Sequence, residues 1–342
     1  MENIFHLVIF QNIYFICFAI FPLISFVATF LLINPIKKLS LKYGFYDAPS
    51  SRKSHRENIV RLGGLAIYIG VFLSLFFINS NKTLLNNYLL SHPLENTYII
   101  NILIGSTIFF VLGIFDDLFR LSPFIRLFIQ FLTVIILGIN GLLFNEFNFI
   151  PLNYTLTLSL PVNISLIIHA LWISGITNAI NWLDGLDGLT AIYVSMILGT
   201  LAIISLLKGL FFTPLILIII IFSILAFYKF NKYPAKIIMG DGGSYFLGFI
   251  LSTFSIMISS YKGQSFSLFI PILVLLIPIL DMIYVLFKRF LNRRSIFLPD
   301  RSHIHHRLMD KGYSYQNTIH IISLLVFSTS IITIIINQLI YI

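Results

Sequence analysis

About ten long, nearly uncharged apolar runs constrain the fold of this 342-residue chain more than any other feature. A helix needs about 20 apolar residues to cross the ~30 Å hydrocarbon core of a bilayer. The runs lie at roughly 10–33, 62–79, 97–115, 124–143, 161–178, 189–207, 212–229, 244–260, 266–287 and 318–340. Because unpaired backbone groups are too costly in lipid, such runs must form helices or a closed barrel, and runs without alternation predict helices. We therefore expect an all-α polytopic membrane protein with one domain over residues 1–342.

Composition and charge distribution support a membrane location and predict its orientation. The chain is 58% hydrophobic and only 10% charged, far from the soluble average. If the loop after the first run faces the cytoplasm, all of the 22 lysines and arginines except Lys82, Lys208 and Lys262 lie on that side or at its interface. With ten spans, both termini would face outward. The start lacks a basic segment, so we interpret the first run as a retained helix and not as a cleaved signal peptide.

The acidic residues gather at the same face as the basic ones. Five of them end or begin apolar runs there, namely Asp116, Asp117, Asp184, Asp187 and Asp241. Carboxylates close to hydrocarbon are costly and usually face a polar cavity. If these carboxylates converge, their repulsion requires a cation, and an oxygen-only donor set favours a hard ion such as Mg²⁺.

Two polar segments have more than one structural interpretation. In NAINWLDGLDGLTA, amides and carboxylates recur every three residues and would form one stripe if the helix continued, whereas Gly185 and Gly188 are equally compatible with a break. In MGDGGS, the turn could be a simple helix cap, or it could direct backbone amides toward phosphate. Taken singly, the basic loops and the histidines His303, His305 and His306 also have ordinary explanations, as topology signals and a polar loop.

Residues 144–160 form a connection on the opposite face, and they alternate partly between apolar and polar side chains. This pattern is compatible with a small hairpin on the membrane surface or with an irregular covering loop. Of the two, the sequence favours the covering loop.

Five segments in order resemble one known family. They are YGFYDAPSSRKSHRENIVRLGG, FDDLFRLSPFIRLFIQ, NAINWLDGLDGL, MGDGGSYFLG and PDRSHIHHRL. Together they resemble the polyprenyl-phosphate N-acetylhexosamine-1-phosphate transferases of glycosyltransferase family 4, over residues 37–312 or so. That family includes enzymes that start teichoic acid, enterobacterial common antigen and O-antigen synthesis, and the phospho-MurNAc-pentapeptide translocase.

The resemblance implies a reaction and its partners. A UDP-sugar would give its sugar 1-phosphate to undecaprenyl phosphate and release UMP, in a bacterial cytoplasmic membrane and with no nucleic acid involved. The His-Ile-His-His pattern after Pro-Asp-Arg resembles the branch that uses UDP-GlcNAc, with another UDP-HexNAc or UDP-MurNAc-pentapeptide as alternatives. The sequence leaves open whether the protein forms a homodimer. It also leaves open whether transfer is direct or passes through a covalent intermediate.

The resemblance also implies residue roles. Asn181 and Asp241 would be ligands of Mg²⁺, or of Mn²⁺ as an alternative. Asp116 would be the candidate base with Asp117 beside it, and Asp184 and Asp187 would bind the nucleotide-sugar or tune the metal. The expected substrate-binding residues are Lys53, Arg61, Asn178, Arg301, His303, His305 and His306.

Some features depart from the family pattern or admit other functions. Arg120 stands where several relatives carry a third carboxylate, which counts against any scheme that needs one there. Asp281 follows Pro278 by three residues and either satisfies a kinked helix or belongs to the site. A transporter or lipid flippase, and an inactive lipid-binding scaffold, are the competing classes. Transporters place polar groups near the bilayer midplane in repeated halves, whereas here the charges gather at one face and no repeat is visible.

Overall fold

The computed structural model describes residues 2–46, 59–80, 93–143, 146–149, 156–260, 266–267, 269–295 and 301–341. Within these ranges the structure is almost entirely helical, as predicted. The helices are α1 (Glu2–Lys42), α2 (Gly63–Ser80), α3 (Pro93–Phe119), α4 (Pro123–Ile139), α5 (Val162–Leu183), α6 (Leu189–Leu207), α7 (Phe212–Asn231), α8 (Gly240–Ser259), α9 (Phe269–Val274), α10 (Leu276–Leu291), α11 (Ile304–Asp310) and α12 (Tyr315–Tyr341).

Eight of these helices are long and apolar enough to cross a membrane: α1, α2, α3, α5, α6, α7, α8 and α12. This confirms a polytopic membrane protein. The other two predicted runs are shorter in the described residues, so the expected count of ten is not reached by helix length. The run at 124–143 contains the 17-residue helix α4, and the run at 266–287 divides into α9 and α10.

The division between α9 and α10 has a local cause. Leu275 lies between the two helices, and Pro278 follows in the first turn of α10. Proline has no amide N–H, so residue 278 cannot donate to the carbonyl oxygen of Val274 as a continuous helix would require. The run is therefore two helices and not one.

Helix α8 is the centre of the bundle. Its apolar membrane-spanning segment is completely buried, and α2, α3, α5, α6 and α9 pack around it. Its closest neighbour is α3, where a Cβ at Gly113 would collide with the backbone of Asp241 and Gly242. Small residues permit such close approach between membrane helices. This contact brings the carboxylates at the end of α3 next to the start of α8.

A small sheet lies at the opposite end of the helix bundle from these carboxylates. Strand β1 (Glu146–Phe149) pairs antiparallel with β2 (Leu156–Ser159), with Glu146 opposite Ser159. Strand β3 (Phe266–Ser267) pairs parallel with β1. The described residues 146–149 and 156–159 thus pair as in the hairpin alternative, and the favoured interpretation as an irregular loop is wrong for them. The third strand was not expected, because two residues are too few to show an alternating pattern.

The polar stripe in NAINWLDGLDGLTA does not continue as a helix. Helix α5 ends at Leu183, and α6 begins at Leu189 after Gly188, which has φ +80°. The amide of Gly188 donates to the side-chain oxygen of Asn231 at 3.0 Å. The helix-break alternative is therefore correct, and Asp184 and Asp187 belong to a turn.

Candidate active site

A polar pocket of about 450 Å³ lies where α3 ends and α8 begins. Three carboxylates meet two of the three arginines that line it, and these five residues come from four separate parts of the chain: Asp116, Asp117, Asp241, Arg61 and Arg126. Of the five carboxylates predicted to converge, Asp116, Asp117 and Asp241 line this pocket. The remaining lining includes Tyr46, Arg120 and backbone around Gly44.

Asn181, at the end of α5, contacts Asp241 directly. Its Nδ2 donates to Asp241 Oδ1 at 2.7 Å and to Ser244 Oγ at 2.8 Å. Ser244 and Asp241 both lie in the first turns of α8. The two residues expected to share a metal ion are therefore adjacent in space although 60 positions separate them.

Asp117 has one oxygen committed and one available. Its Oδ2 accepts the amide N–H of Gly242 at 3.0 Å, so this side chain occupies one of the amides at the start of α8 that could have faced phosphate. Its Oδ1 is buried and accepts no hydrogen bond from the part of the chain that the structure describes. Among the described residues, Arg61 pairs with that oxygen, with Nε at 3.7 Å.

Arg61 lies between two carboxylates. Its Nη2 is 3.6 Å from Asp241 Oδ1, while its Nε faces Asp117. The backbone of Arg61 is held close to Gly240, which has φ +78°, and a Cβ at Gly240 would collide with the Arg61 carbonyl oxygen. Only glycine satisfies both demands at this position.

The donor set fits a hard cation that keeps most of its own coordination shell. In the described ranges, no three His, Cys, Asp or Glu side chains are grouped as a complete metal cage. The pocket offers instead the carboxylates of Asp117 and Asp241 beside the amide of Asn181. Mg²⁺ commonly takes one or two protein ligands and completes its shell with waters and phosphate oxygens. The residues present therefore fit the ion implied by the sequence.

Asp116 is engaged in a closed network with residues that the sequence reasoning did not select. Its Oδ2 accepts from Arg126 Nη1 at 2.5 Å and from the Tyr245 hydroxyl at 3.2 Å, and Arg126 also contacts that hydroxyl at 3.1 Å. Arg126 lies nine positions after Asp117 in the FDDLFRLSPFIRLFIQ segment. The sequence shows Arg126 as a charged residue at the start of an apolar run, but only the fold shows what it contacts.

A second cavity, an apolar groove of about 530 Å³, adjoins the polar pocket. It lies between α4, α5, α10 and the segment that precedes α11. Its polar lining is Arg126, Asn178, Asn181, Arg289, His303, His305 and His306, and its apolar lining includes Phe131, Leu171, Trp182, Met282 and Leu286. Arg126 lines both cavities.

The three predicted histidines are brought together at this groove. His305 is 1% exposed, its ring packs against Gly185, and neither ring nitrogen has a hydrogen-bond partner in the described chain. Burial lowers the pKa of His305 to about 3, and the neighbouring His306 and His303 add to this while Asp281 opposes it. His305 is therefore neutral over the physiological range.

Asp184 and Asp187 differ in their surroundings. Burial raises the pKa of Asp184 to about 7, against smaller opposing effects of the Thr190 hydroxyl and Arg61. Asp187 accepts the amide N–H of Ala235 at 2.9 Å, and its own amide N–H donates to the Tyr315 hydroxyl. Asp187 thus ties the α5–α6 turn to the segment before α8 and to α12.

The other predicted substrate-binding residues are dispersed. Lys53 lies outside the described residues. Arg301 is exposed and pairs with Asp310 at 3.5 Å. Asn178 lines the groove, and its Nδ2 donates to Gln130 Oε1 at 2.8 Å and to the Ser174 carbonyl oxygen at 2.7 Å. Arg289 was not selected from the sequence, yet it is buried in the groove with its guanidinium 5.3 Å from the Trp182 ring centre.

Comparison with known proteins agrees with this architecture. The profile of the family described as Glycosyl transferase family 4 matches residues 99–259. A Bacillus subtilis protein named probable undecaprenyl-phosphate N-acetylglucosaminyl 1-phosphate transferase is 38% identical over 315 residues, which cover 91% of this chain and 82% of that protein.

More distant relatives cover similar shares. A Mycobacterium leprae protein named decaprenyl-phosphate N-acetylglucosaminephosphotransferase is 29% identical, over 81% of this chain and 73% of its own length. The Escherichia coli K12 undecaprenyl-phosphate alpha-N-acetylglucosaminyl 1-phosphate transferase is 26% identical, over 87% of this chain and 78% of its own. With this coverage and the convergent helix-end carboxylates, the chain belongs to glycosyl transferase family 4, among the polyprenyl-phosphate N-acetylhexosamine-1-phosphate transferases.

Proposed function

We propose that this protein transfers N-acetylglucosamine 1-phosphate from UDP-GlcNAc to a polyprenyl phosphate, releasing UMP, as the first step of a cell-envelope glycan. The names of these relatives support both the sugar and the lipid acceptor. The distribution of lysine and arginine supports a site on the cytoplasmic face of a bacterial inner membrane, with both termini outward. A homodimer remains a sequence prediction that the mass of the protein–detergent particle would test.

One observation carries this proposal: Arg126 lines both the carboxylate pocket and the apolar groove. A nucleotide-sugar is strongly anionic and needs a polar site, whereas a polyprenyl chain needs an apolar path to the bilayer. The groove supplies that path, because its lining residue Leu171 is 57% exposed on the outside of α5. The two substrates would then meet near Arg126, with the acceptor phosphate beside its guanidinium.

The polar pocket is suited to the donor diphosphate. Mg²⁺ bound by Asn181 and Asp241 would neutralise charge that spreads over the phosphate oxygens during transfer. To ligate the same ion as Asp241, Asn181 would present its amide oxygen in place of Nδ2. A half-turn of the side-chain amide makes that exchange. Arg61 would move from its position between Asp117 and Asp241 toward the donor phosphates, where its fork of N–H donors matches phosphate oxygens.

The acceptor phosphate would lie at the junction of the two cavities. One of its oxygens would attack the phosphorus that carries the sugar, and the bond from that phosphorus to the bridging oxygen would break, leaving the electron pair on UMP. A phosphate monoester with a second pKa near ~6 already supplies an anionic oxygen near neutral pH. Positioning and charge neutralisation then account for most of the acceleration.

The geometry divides the paired carboxylates into two roles. Asp116 Oδ2 accepts hydrogen bonds from both Arg126 and Tyr245, which suits a residue that orients the guanidinium. Asp117 keeps a buried oxygen without a hydrogen-bond donor in the described residues. This suits a group that takes the remaining proton from the phosphate of the lipid acceptor. We therefore move the proposed base from Asp116 to Asp117.

We favour direct attack over an aspartyl-phosphate intermediate, and the two are separable. Asp117 would be the nucleophile of a covalent scheme, since its Oδ1 is the available oxygen. Incubation with radiolabelled UDP-GlcNAc and no lipid should leave the protein unlabelled. A labelled phospho-protein that disappears in Asp117→Asn would overturn direct attack.

The proposed activity has a simple test. Purified protein in detergent, given undecaprenyl phosphate, Mg²⁺ and a panel of UDP-sugars, should release UMP with UDP-GlcNAc and stop when EDTA is added. Preference for UDP-MurNAc-pentapeptide or another UDP-HexNAc would keep the chemistry and change the sugar. Absence of UMP release with every sugar, from protein that remains folded and monodisperse, would refute the proposal.

A further inference from the structure

Asp281 is the one carboxylate of α10, and it makes contacts that the proposed mechanism does not use. Its side chain is 6% exposed. It accepts from His303 Nδ1 at 2.9 Å, from the Ile304 amide N–H at 2.7 Å and from Arg307 Nη2 at 3.2 Å. All three donors belong to the segment that begins α11, more than 20 residues away in the chain.

These contacts account for the burial of a charged group. A buried carboxylate is costly unless it is paired and hydrogen-bonded, and here a guanidinium, an imidazole and a backbone amide share that task. The guanidinium is fixed in turn, because Arg307 lies 3.9 Å over the ring of Tyr284, which is one turn from Asp281 on α10. The start of α11 is thus fastened to α10 through one side chain.

The consequence for His303 is a defined ring orientation. Because Nδ1 donates to Asp281, the other ring nitrogen, Nε2, is the one left for a ligand. His303 lines the groove, with its ring 5.6 Å from Trp182 and stacked parallel to His305 at 5.8 Å. A carboxylate that fixes a histidine in this way typically changes activity when it is lost, although it never touches the substrate.

We propose that Asp281 is a positioning residue: it accepts the Nδ1–H of His303 so that Nε2 faces the groove and, carrying a proton when phosphate is bound, donates to a phosphate oxygen of a substrate. The inference rests on the proposed function, since it requires phosphate in that groove. The phosphate belongs either to the donor diphosphate or to the lipid acceptor, and kinetics separate the two. Whichever KM rises when His303 is changed identifies the source, and loss of Asp281 must raise the same KM.

The first test is a double-mutant cycle on UMP release. We expect Asp281→Asn and His303→Gln each to lower kcat/KM by about 10- to 100-fold, and the double variant to be no worse than His303→Gln alone. Asp310→Asn is the matched control, since it removes an exposed ion pair of the same segment and should leave activity unchanged. Effects that multiply in the double variant, or that raise different KM values, would refute positioning through His303.

The second test does not depend on activity. Hydrogen–deuterium exchange of the peptide over residues 301–310 should quicken in Asp281→Ala, because the Ile304 amide loses its acceptor, and should not change in Asp310→Asn. Unchanged exchange in Asp281→Ala would overturn the anchoring contact itself. If the unaltered protein releases no UMP with any sugar, the proposed function fails and the role in transfer falls with it, while exchange still decides whether Asp281 holds the segment.

Discussion

Asn181 Nδ2 donates a 2.7 Å hydrogen bond to Asp241 Oδ1, although one residue ends α5 and the other begins α8. Ser244, one turn further along α8, accepts from the same nitrogen at 2.8 Å. The contact joins two motifs that are far apart in the sequence and places an amide oxygen within one side-chain rotation of a carboxylate. It is the geometric basis for the proposed shared cation.

The first prediction concerns that cation. Asp241→Ala and Asn181→Ala should each lower UMP release by more than about 100-fold, because a phosphoryl-transfer ion contributes several kcal/mol to the transition state. The measurement is turnover against Mg²⁺ concentration, with melting temperature in detergent as the check on folding. Turnover with an unchanged Mg²⁺ dependence in both variants would remove these residues as ligands.

The second prediction concerns Arg126. Arg126→Lys should raise KM for undecaprenyl phosphate by about 10- to 100-fold, since a charge-assisted hydrogen bond contributes about 1.5–3 kcal/mol and lysine cannot bridge Asp116, Tyr245 and a phosphate together. KM for the UDP-sugar should change far less. Arg293→Lys, an exposed change just beyond α10, serves as the control. Equal changes in the two KM values would argue against a place for Arg126 at the acceptor.

The third prediction concerns Gly240. Its φ of +78° and its contact with Arg61 should make Gly240→Ala destabilising and inactive, because the new Cβ displaces the backbone of Arg61. Gly209 has nearly the same φ, +77°, with open space around it, so Gly209→Ala should show only the backbone strain of about 1–2 kcal/mol. Melting temperature and UMP release are the two readouts. Similar losses in the two variants would mean that packing against Arg61 contributes nothing.

The fourth prediction concerns pH and His305. The folded-state pKa is lowered to about 3, below the ordinary value of 6.5, so the unfolded chain takes up the proton first as pH falls. The neutral ring contributes fully to the free energy of unfolding above about pH 6.5, and this contribution is lost as pH falls toward 3. At pH 5 the loss amounts to up to about 2 kcal/mol.

The measurement is the melting temperature in detergent at pH 7.5 and pH 5. The loss between these values should be smaller in His305→Gln than in the unaltered protein, because the glutamine side chain has no group that titrates in this range. The exposed His320 provides the control, and His320→Gln should keep the full pH dependence. An identical loss in His305→Gln would show that the buried ring is not responsible.

The sequence by itself determined the class of structure. Runs of about 20 apolar residues leave the backbone no option in lipid but to pair within itself, so helices and their approximate positions follow from composition and length. The same physics marked the helix-end carboxylates as site candidates, because charge next to hydrocarbon is tolerated only beside a cavity. Asp117, Asn181 and Asp241 were identified on those grounds together with the family resemblance.

Only the tertiary structure decided which of these groups contact one another. Helix contacts depend on side-chain packing between segments far apart in the chain, such as Gly113 against the start of α8, and no local pattern encodes that proximity. Arg126 and Asp281 were therefore seen as charges in the sequence without a role. Their partners, Asp116 on α3 and His303 before α11, became visible only when the helices were placed side by side.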